Sequence, residues 1–545
     1  RSAERLWCQR QFVLLNPAGV LFGPNSALNL GGSFTATTAD SVTFGTGNFG
    51  AIATNDYGAL VGDPTGFTFS SDAPGSIVNG GNLAVSPGET LQLIGGQVIN
   101  TGTLAAPGGA IVIAAVEGEN RVRIAQDGLV LNLEVATLPN PSATPLPFTP
   151  LALPELLTGS GLSDAVGVLV NPNGTVSLTG SAVAIPTQPG IAVASGELLA
   201  AGGQVDILGD TVAVIDALVD AAAEFGGGQI RVGGDYLGSG PVPNAQVTYV
   251  DRNSVLNANA TVDGDGGRII LWSDQATYNY SSLSVRGGVL GGDGGFVETS
   301  SAGYLDTRGA PDIGAPAGQG GTWLIDPPDI NIGIFGGLNS STGFVPGPAF
   351  SSSIVANANP SNLDIADLDA ALASSGTVTV ATTFTGLGTG NITFANDFTY
   401  SGVAAATLNL FAAGDINFDH AINSGAALNL IANAAGNVNF NSAGTFAINT
   451  AGGDVSFTGT EVVIGAGAGG HTINSGTGNV ALIGSSGAPG STGIVINPSW
   501  CVEHDQRNNF LDWDRQYQRS RGSRKYHHRW GQRHFDWNRW DWVWG

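Results

Sequence analysis

Apolar residues in this chain fall into short runs, each set off by glycine. Leu91-Gln92-Leu93-Ile94 precedes Gly95-Gly96, and Ala110-Ile111-Val112-Ile113 follows Gly108-Gly109. Runs of that length bounded by turn residues predict β-strands joined by corners. Farther on the pattern becomes a repeat. A Gly pair leads an apolar strand at Gly202-Gly203-Gln204-Val205-Asp206-Ile207-Leu208, Gly227-Gly228-Gln229-Ile230, Gly266-Gly267-Arg268-Ile269-Ile270-Leu271-Trp272, Gly294-Gly295-Phe296-Val297 and Gly320-Gly321-Thr322-Trp323-Leu324-Ile325. The unit then tightens to Gly, Asn or Asp, and an apolar β-branched residue, at Gly390-Asn391-Ile392, Gly414-Asp415-Ile416, Gly436-Asn437-Val438, Gly453-Asp454-Val455 and Gly478-Asn479-Val480. Steps of roughly 17–39 residues are those of a solenoid. One coil buries too few apolar side chains to offset the entropy of ordering it, so coils hold only by stacking, and Asn at repeated corners can ladder down the stack. The expected fold is all-β, a right-handed parallel β-helix with loop insertions and one short helix. That helix is expected over Ser361–Ser375, where Leu363, Ile365, Leu368, Ala371 and Leu372 lie near helical spacing.

Composition supports repetition over compact globules. The 545 residues include 83 Gly, with 11% charged and 42% hydrophobic residues, ample for a core. No apolar run approaches the roughly 18 residues of a membrane helix, which argues against membrane insertion. The net charge is −24; setting aside about +2 in residues 1–11 and +3 in residues 500–545 leaves the body near −29. Phosphate neutralisation needs clustered cations, so no nucleic-acid partner is expected for the body. The two cysteines, Cys8 and Cys501, lie in the terminal segments, and the cysteine-free body can hold neither disulfide staples nor metal-thiolate sites. Methionine is absent, so Arg1 is expected to mark a processed terminus or a fragment.

Phe12-Val13-Leu14-Leu15 and Val20-Leu21-Phe22 flank Asn16-Pro17-Ala18-Gly19. Proline presets φ and glycine accepts positive φ, so these four residues predict a tight turn. With Asn25 to Phe44 behind it, the stretch resembles the secretion domain of filamentous haemagglutinin-like exoproteins, the cargo of two-partner secretion systems. The family's Asn-Pro-Asn-Gly-Ile signature stands here as Asn16-Pro17-Ala18-Gly19-Val20, followed by the Phe22-Gly23, Gly31-Gly32 and Thr37 landmarks. Ala18 replaces the family's second asparagine, so any brace supplied by that amide is missing. Gly233-Gly234-Asp235-Tyr236, Asp263-Gly264-Asp265-Gly266-Gly267, Gly291-Gly292-Asp293-Gly294-Gly295 and Trp323-Leu324-Ile325-Asp326-Pro327 look like the middle of large haemagglutinin-like surface proteins.

The resemblance implies a fragment of a large exported exoprotein, without enzymatic activity or cofactor, acting as adhesin or scaffold at the surface of a Gram-negative-type bacterium. Its partner would be an outer-membrane β-barrel transporter with periplasmic recognition modules; host or neighbouring-cell glycans or proteins would be further partners. Asn16, Pro17 and Gly19 would form the secretion motif, acting through turn shape. The upstream half of the domain, with a further Asn-Pro motif, would be missing. The expected plan is an anomalous segment at 1–11, the C-terminal portion of the secretion domain at 12–136, and a Pro-rich insertion at 137–160. Gly-rich coils follow at 161–335, a linker with the helix at 336–376, tighter coils at 377–499 and an anomalous tail at 500–545.

Other chemistry is sparse. Asp263, Asp265 and Asp274 occupy the first, third and twelfth places of a calcium-loop register, but Arg268 holds the sixth and strands are expected to flank it, so a plain corner is the simpler reading. Parallel β-helices also host polysaccharide-active enzymes built on clustered carboxylates, for which Asp263 and Asp265 are the candidates. The arginines of the body, among them Arg231, Arg252, Arg268 and Arg286, look isolated, and His420 and His471 read as solvent-facing or capping. A toxin-delivery stalk is a further alternative and would need a C-terminal effector. The tail holds seven of the ten Trp and four of the six His. It reads as a basic aromatic segment that binds single-stranded nucleic acid, a metal tract, vector-derived sequence or, best, a shifted reading frame, since Gly and Ala codons read out of frame yield Trp and Cys.

Overall fold

The computed structural model describes residues 11–124, 133–137, 167–170, 176–179, 189–335, 360–496 and 501–503, apart from short stretches at 46, 53, 63, 119, 375, 384–387, 442–446, 465–471 and 486–493. The segment before Gln11, nearly all of the Pro-rich insertion, residues 336–359, His471 and everything after Glu503 lie outside the described residues. The fold is a right-handed parallel β-helix, the hand expected of parallel crossover connections. Two compact units divide it: residues 1–301, 311–321 and 341–357, and residues 302–310, 322–340 and 358–545.

In the first unit, one parallel sheet stacks Phe12–Leu15, Phe34–Thr37, Thr90–Gly95, Ala110–Ala115, Gln204–Leu208, Gln229–Val232, Arg268–Leu271 and Phe296–Ser300. Its register aligns Leu91, Ile111, Val205, Ile230, Ile269 and Val297 in one buried row. The Gly pairs set that register by close approach. A Cβ on Gly203, Gly228, Gly267 or Gly295 would lie 2.0–2.1 Å from the carbonyl oxygen of the glycine one coil before. Only a residue without Cβ lets the coils approach to ladder distance there. Val20–Phe22, Ser76–Asn79, Gln97–Asn100, Ile191–Leu199, Thr211–Asp220, Val247–Val250 and Ala276–Asn279 build the facing sheet.

A separate antiparallel sheet lies on the outer face of this unit. Its strands are Ser41–Phe44, Gly47–Gly50, Pro64–Phe69, Asn120–Ile124 and Leu133–Thr137. Val42, Phe67, Phe69 and Val122 pack on Ile94, Val112, Ala114 and Leu208, making a second core outside the helix. Alternation alone predicts these strands but gives no sign that they leave the coil, so reading 12–136 as coils throughout misses this sheet.

The second unit has three faces per coil. Ala406–Ala412, Leu428–Ala434 and Val455–Gly459 form one; Ile392–Phe394, Ile416–Phe418 and Val438–Phe440 the next; Phe398–Tyr400, Ile422–Ser424 and Ala447–Asn449 the third. Phe394, Phe418 and Phe440 stack at centroid distances of 5.5 and 5.2 Å. The helix runs Ile365–Ala373, shorter than expected, because Ser361–Asp364 pairs as a strand with Ile330–Gly333. Asp364 caps it, accepting from the Ala366 amide at 2.9 Å. Leu363, assigned to the helix by spacing, is therefore a strand residue. Cys501–Glu503 pairs in parallel with Thr472–Asn474, so the first residues of the anomalous tail join the stack.

Candidate functional site

The Asn16–Gly19 turn joins the two faces of the first described coil. Phe12–Leu15 pairs with Phe34–Thr37 in one sheet, and Val20–Phe22 pairs with Ser76–Asn79 in the other. Asn16 spends all four of its polar groups there. Its amide N–H donates to the Thr37 carbonyl at 3.0 Å and its carbonyl accepts from the Gly19 amide at 3.1 Å. Its side-chain oxygen accepts from the Ala18 amide at 3.2 Å, and its Nδ2 donates to the Gly19 carbonyl at 2.9 Å. Gly19 has φ of +116°, a region open to glycine. The neighbouring coil fits closely, since a Cβ on Gly75 would lie 2.5 Å from the Pro17 carbonyl oxygen. Asn16 and Ala18 are both exposed. The turn closes through Asn16, so the missing second asparagine leaves its internal bonding intact.

The structure thus brings Asn16, Pro17 and Gly19 together with Thr37, and it separates the carboxylates of the calcium register. Asp265 accepts from the Asp293 amide at 2.7 Å, and Asp293 in turn accepts from the Gln319 amide at 2.8 Å. Asp274 sits at a different corner, accepting from Trp272 Nε1 at 3.1 Å and Asn244 Nδ2 at 3.0 Å. Among the described residues no three His, Cys, Asp or Glu side chains converge in a way that could hold a metal.

The same stair of corner side chains recurs in the second unit. Asp329 accepts from the Asn391 amide, Asn391 from Asp415, Asp415 from Asn437 and Asn437 from Glu461, at 2.7, 2.8, 2.7 and 3.1 Å. The repeated Asn or Asp after glycine is therefore a coil-to-coil fastener. Its partner is mainly the backbone of the next coil; side-chain amide pairs of the expected kind also occur, as between Asn439 and Asn417 at 3.1 Å.

The arginines are not isolated. Arg231 reaches Asp206 through Nε and Nη2 at 2.8 and 2.9 Å and Asp235 through Nη1 at 2.7 Å, with Arg231 and Asp206 both buried. Burial alone would lower the Arg231 pKa; the hydrogen bond and charge of Asp206, joined by those of Asp235, outweigh it and raise the pKa. Arg268 lies between the Tyr236 and Phe296 rings, 4.9 Å from each centroid. Arg286 pairs with Asp312 at 2.9 Å. These partners lie 25–32 residues away or in a loop, beyond local reading. His420 stands 3.4 Å from Asp397, on the coil before it, and is part-exposed. At another corner, burial and then the charge of Glu117 push Asp210 up to about 6, against the opposing hydrogen bond of Thr211.

Residues 9–142 match the family model of the TPS secretion domain, the span that contains the Asn16 turn. That segment of the chain is similar to the secretion domain of two-partner secretion cargo proteins of the filamentous haemagglutinin type. Such cargo is recognised by an outer-membrane transporter and carried to the cell surface or beyond. Among solved structures, the HMW1 secretion domain from Haemophilus influenzae is similar over 58% of this chain and 80% of its own, with 20% identity and a TM-score of 0.31. No curated protein matches. No helix among the described residues is long and apolar enough to cross a membrane.

Proposed function

We propose that the protein acts at the surface of a Gram-negative-type bacterium as an adhesin or surface scaffold. On this reading the periplasmic modules of a dedicated β-barrel transporter recognise the Asn16-Pro17-Ala18-Gly19 turn through its shape. The TPS match over residues 9–142 carries the proposal. The acidic, ladder-stacked body supports it further, since Asp265, a candidate for polysaccharide chemistry, is engaged in fastening coils. The domain plan belongs to the same proposal, with the secretion-domain portion at 12–136, its outer antiparallel sheet included, leading two coil regions at 161–335 and 377–499.

The test is Asn16→Ala in the gene co-expressed with its transporter, with secreted protein measured against total protein. Losing the Asn16 side chain removes two hydrogen bonds from an exposed turn, so secretion is expected to drop at least ~10-fold while the purified protein stays folded. Secretion at the original level would sink the role given to Asn16. Binding of the exported protein to target cells tests the adhesin role separately.

A further inference from the structure

Three successive coils of the first unit present large apolar side chains at one corner. Phe225 is 77% exposed, Val289 60% and Leu290 74%, with the half-buried Val262 on the coil between them. They are held in step by the backbone. Val262 and Asp263 donate to the Glu224 carbonyl at 3.1 and 3.0 Å, Leu290 donates to the Val262 carbonyl at 2.8 Å, and Gly264 donates to the Gly291 carbonyl at 2.9 Å. Each coil then turns at a glycine of positive φ: Gly226 at +111°, Gly264 at +120° and Gly292 at +105°. A Cβ on Gly292 would lie 1.9 Å from the Gly264 carbonyl oxygen, so the corners are packed against one another. The apolar side chains therefore stand on a fixed ridge.

Carboxylates ring it. Glu224, Asp263, Asp265 and Asp293 are all exposed, while the guanidinium of Arg286, which precedes the last corner, is held by Asp312 at 2.9 Å. An exposed apolar ridge with a rim of one sign marks an interaction surface. We propose that this ridge docks a cationic amphipathic segment of another protein, one in which lysine or arginine flanks an apolar stripe. The stripe would cover Phe225, Val262, Val289 and Leu290, and its cations would meet the four carboxylates. A second copy of this chain would set acidic rim against acidic rim on a molecule of net charge −24, and anionic lipid or nucleic acid would be repelled in the same way.

The probe is a fluorescein-labelled amphipathic peptide of leucine and lysine, titrated into the whole chain. A leucine/glutamate peptide of identical pattern and a lysine homopolymer serve as comparisons. The leucine/lysine peptide is expected to bind best. Its affinity should fall at least ~10-fold in a Phe225→Ser, Leu290→Ser double variant, and it should weaken as salt rises from ~0.05 to ~0.5 M, where the Debye length shortens. Hydrogen exchange on the unaltered chain should show peptide-induced protection confined to residues 223–226, 261–265 and 287–292, a readout that needs no variant. Equal binding by the leucine/glutamate peptide or by polylysine would overturn the proposal. So would protection elsewhere, or an unchanged affinity in a folded double variant.

Discussion

At Gly267 the constraint is space rather than backbone angle. An added Cβ would lie 2.0 Å from the Gly228 carbonyl oxygen, which belongs to the ladder itself. Gly267→Ala is therefore expected to cost about 1–3 kcal/mol, as overpacking does. Gly31→Ala, where nothing lies within 4 Å, should stay within about 0.5 kcal/mol; urea midpoints of the two variants distinguish them. Asp210 gives the opposite kind of residue effect, one that depends on pH. Its carboxyl is raised from 3.8 to about 6 by burial and by Glu117, so between those values the folded state holds more protons than the unfolded state. Stability from this group is fully present below about pH 4 and lost as pH rises through about 6, a change on the order of 2 kcal/mol. Thermal unfolding across pH 4–7 should show that decline, and Asp210→Asn should flatten it. The carboxylates were legible in the sequence; that Asp210 and Glu117 both crowd Gly190, within about 3 Å of its added Cβ, was not, because a long insertion separates Glu117 from Gly190 within one coil and Asp210 lies on the next.

Elements are legible in the sequence where a period repeats and obscured where an exception intervenes. The Gly-Gly and Gly-Asn strands form as expected because each corner meets its own kind one coil away. The helix was placed too early because Leu363 fits both a helical spacing and the strand it joins, and pairing with Ile332 decides for the strand. The outer antiparallel sheet escaped because its alternation is the same inside or outside a coil; only the contact of Phe67 and Phe69 with Ile94 and Val112 distinguishes them. Strand pairing also explains Arg231, which sits directly opposite Asp206 in the register. Arg231→Met removes the cation and leaves Asp206 buried without its partner, which should cost about 3–5 kcal/mol by urea unfolding. Adding Asp206→Leu should recover much of that loss, since a buried ion pair replaced on both sides is often neutral.

For the molecule as a whole, the proposed export and the stability of the stack draw on the same property. A coil gains its stacking only from a neighbour, so each coil that emerges from a transporter can dock on the one before it without another energy source. The Asn16 turn lies in the first described coil, and its side-chain hydrogen bonds stay within that exposed turn, so its loss is expected to reduce secretion while sparing the folded protein. The sequence by itself determined the coil repeat, the acidity of the body, the turn at Asn16 and the likeness to secretion domains, because each is local or periodic and needs only residue type and spacing. Tertiary structure alone decided which coils touch. That choice turned the Asp263 and Asp265 corner from a calcium register into a step of the stack, paired arginines that looked isolated, laid a second sheet on the outside of the helix, and lined up Phe225, Val262 and Leu290 on one ridge. Those outcomes depend on residues far apart in the sequence meeting across stacked coils, and the register of parallel strands, which single-sequence spacing does not encode, fixes which of them meet.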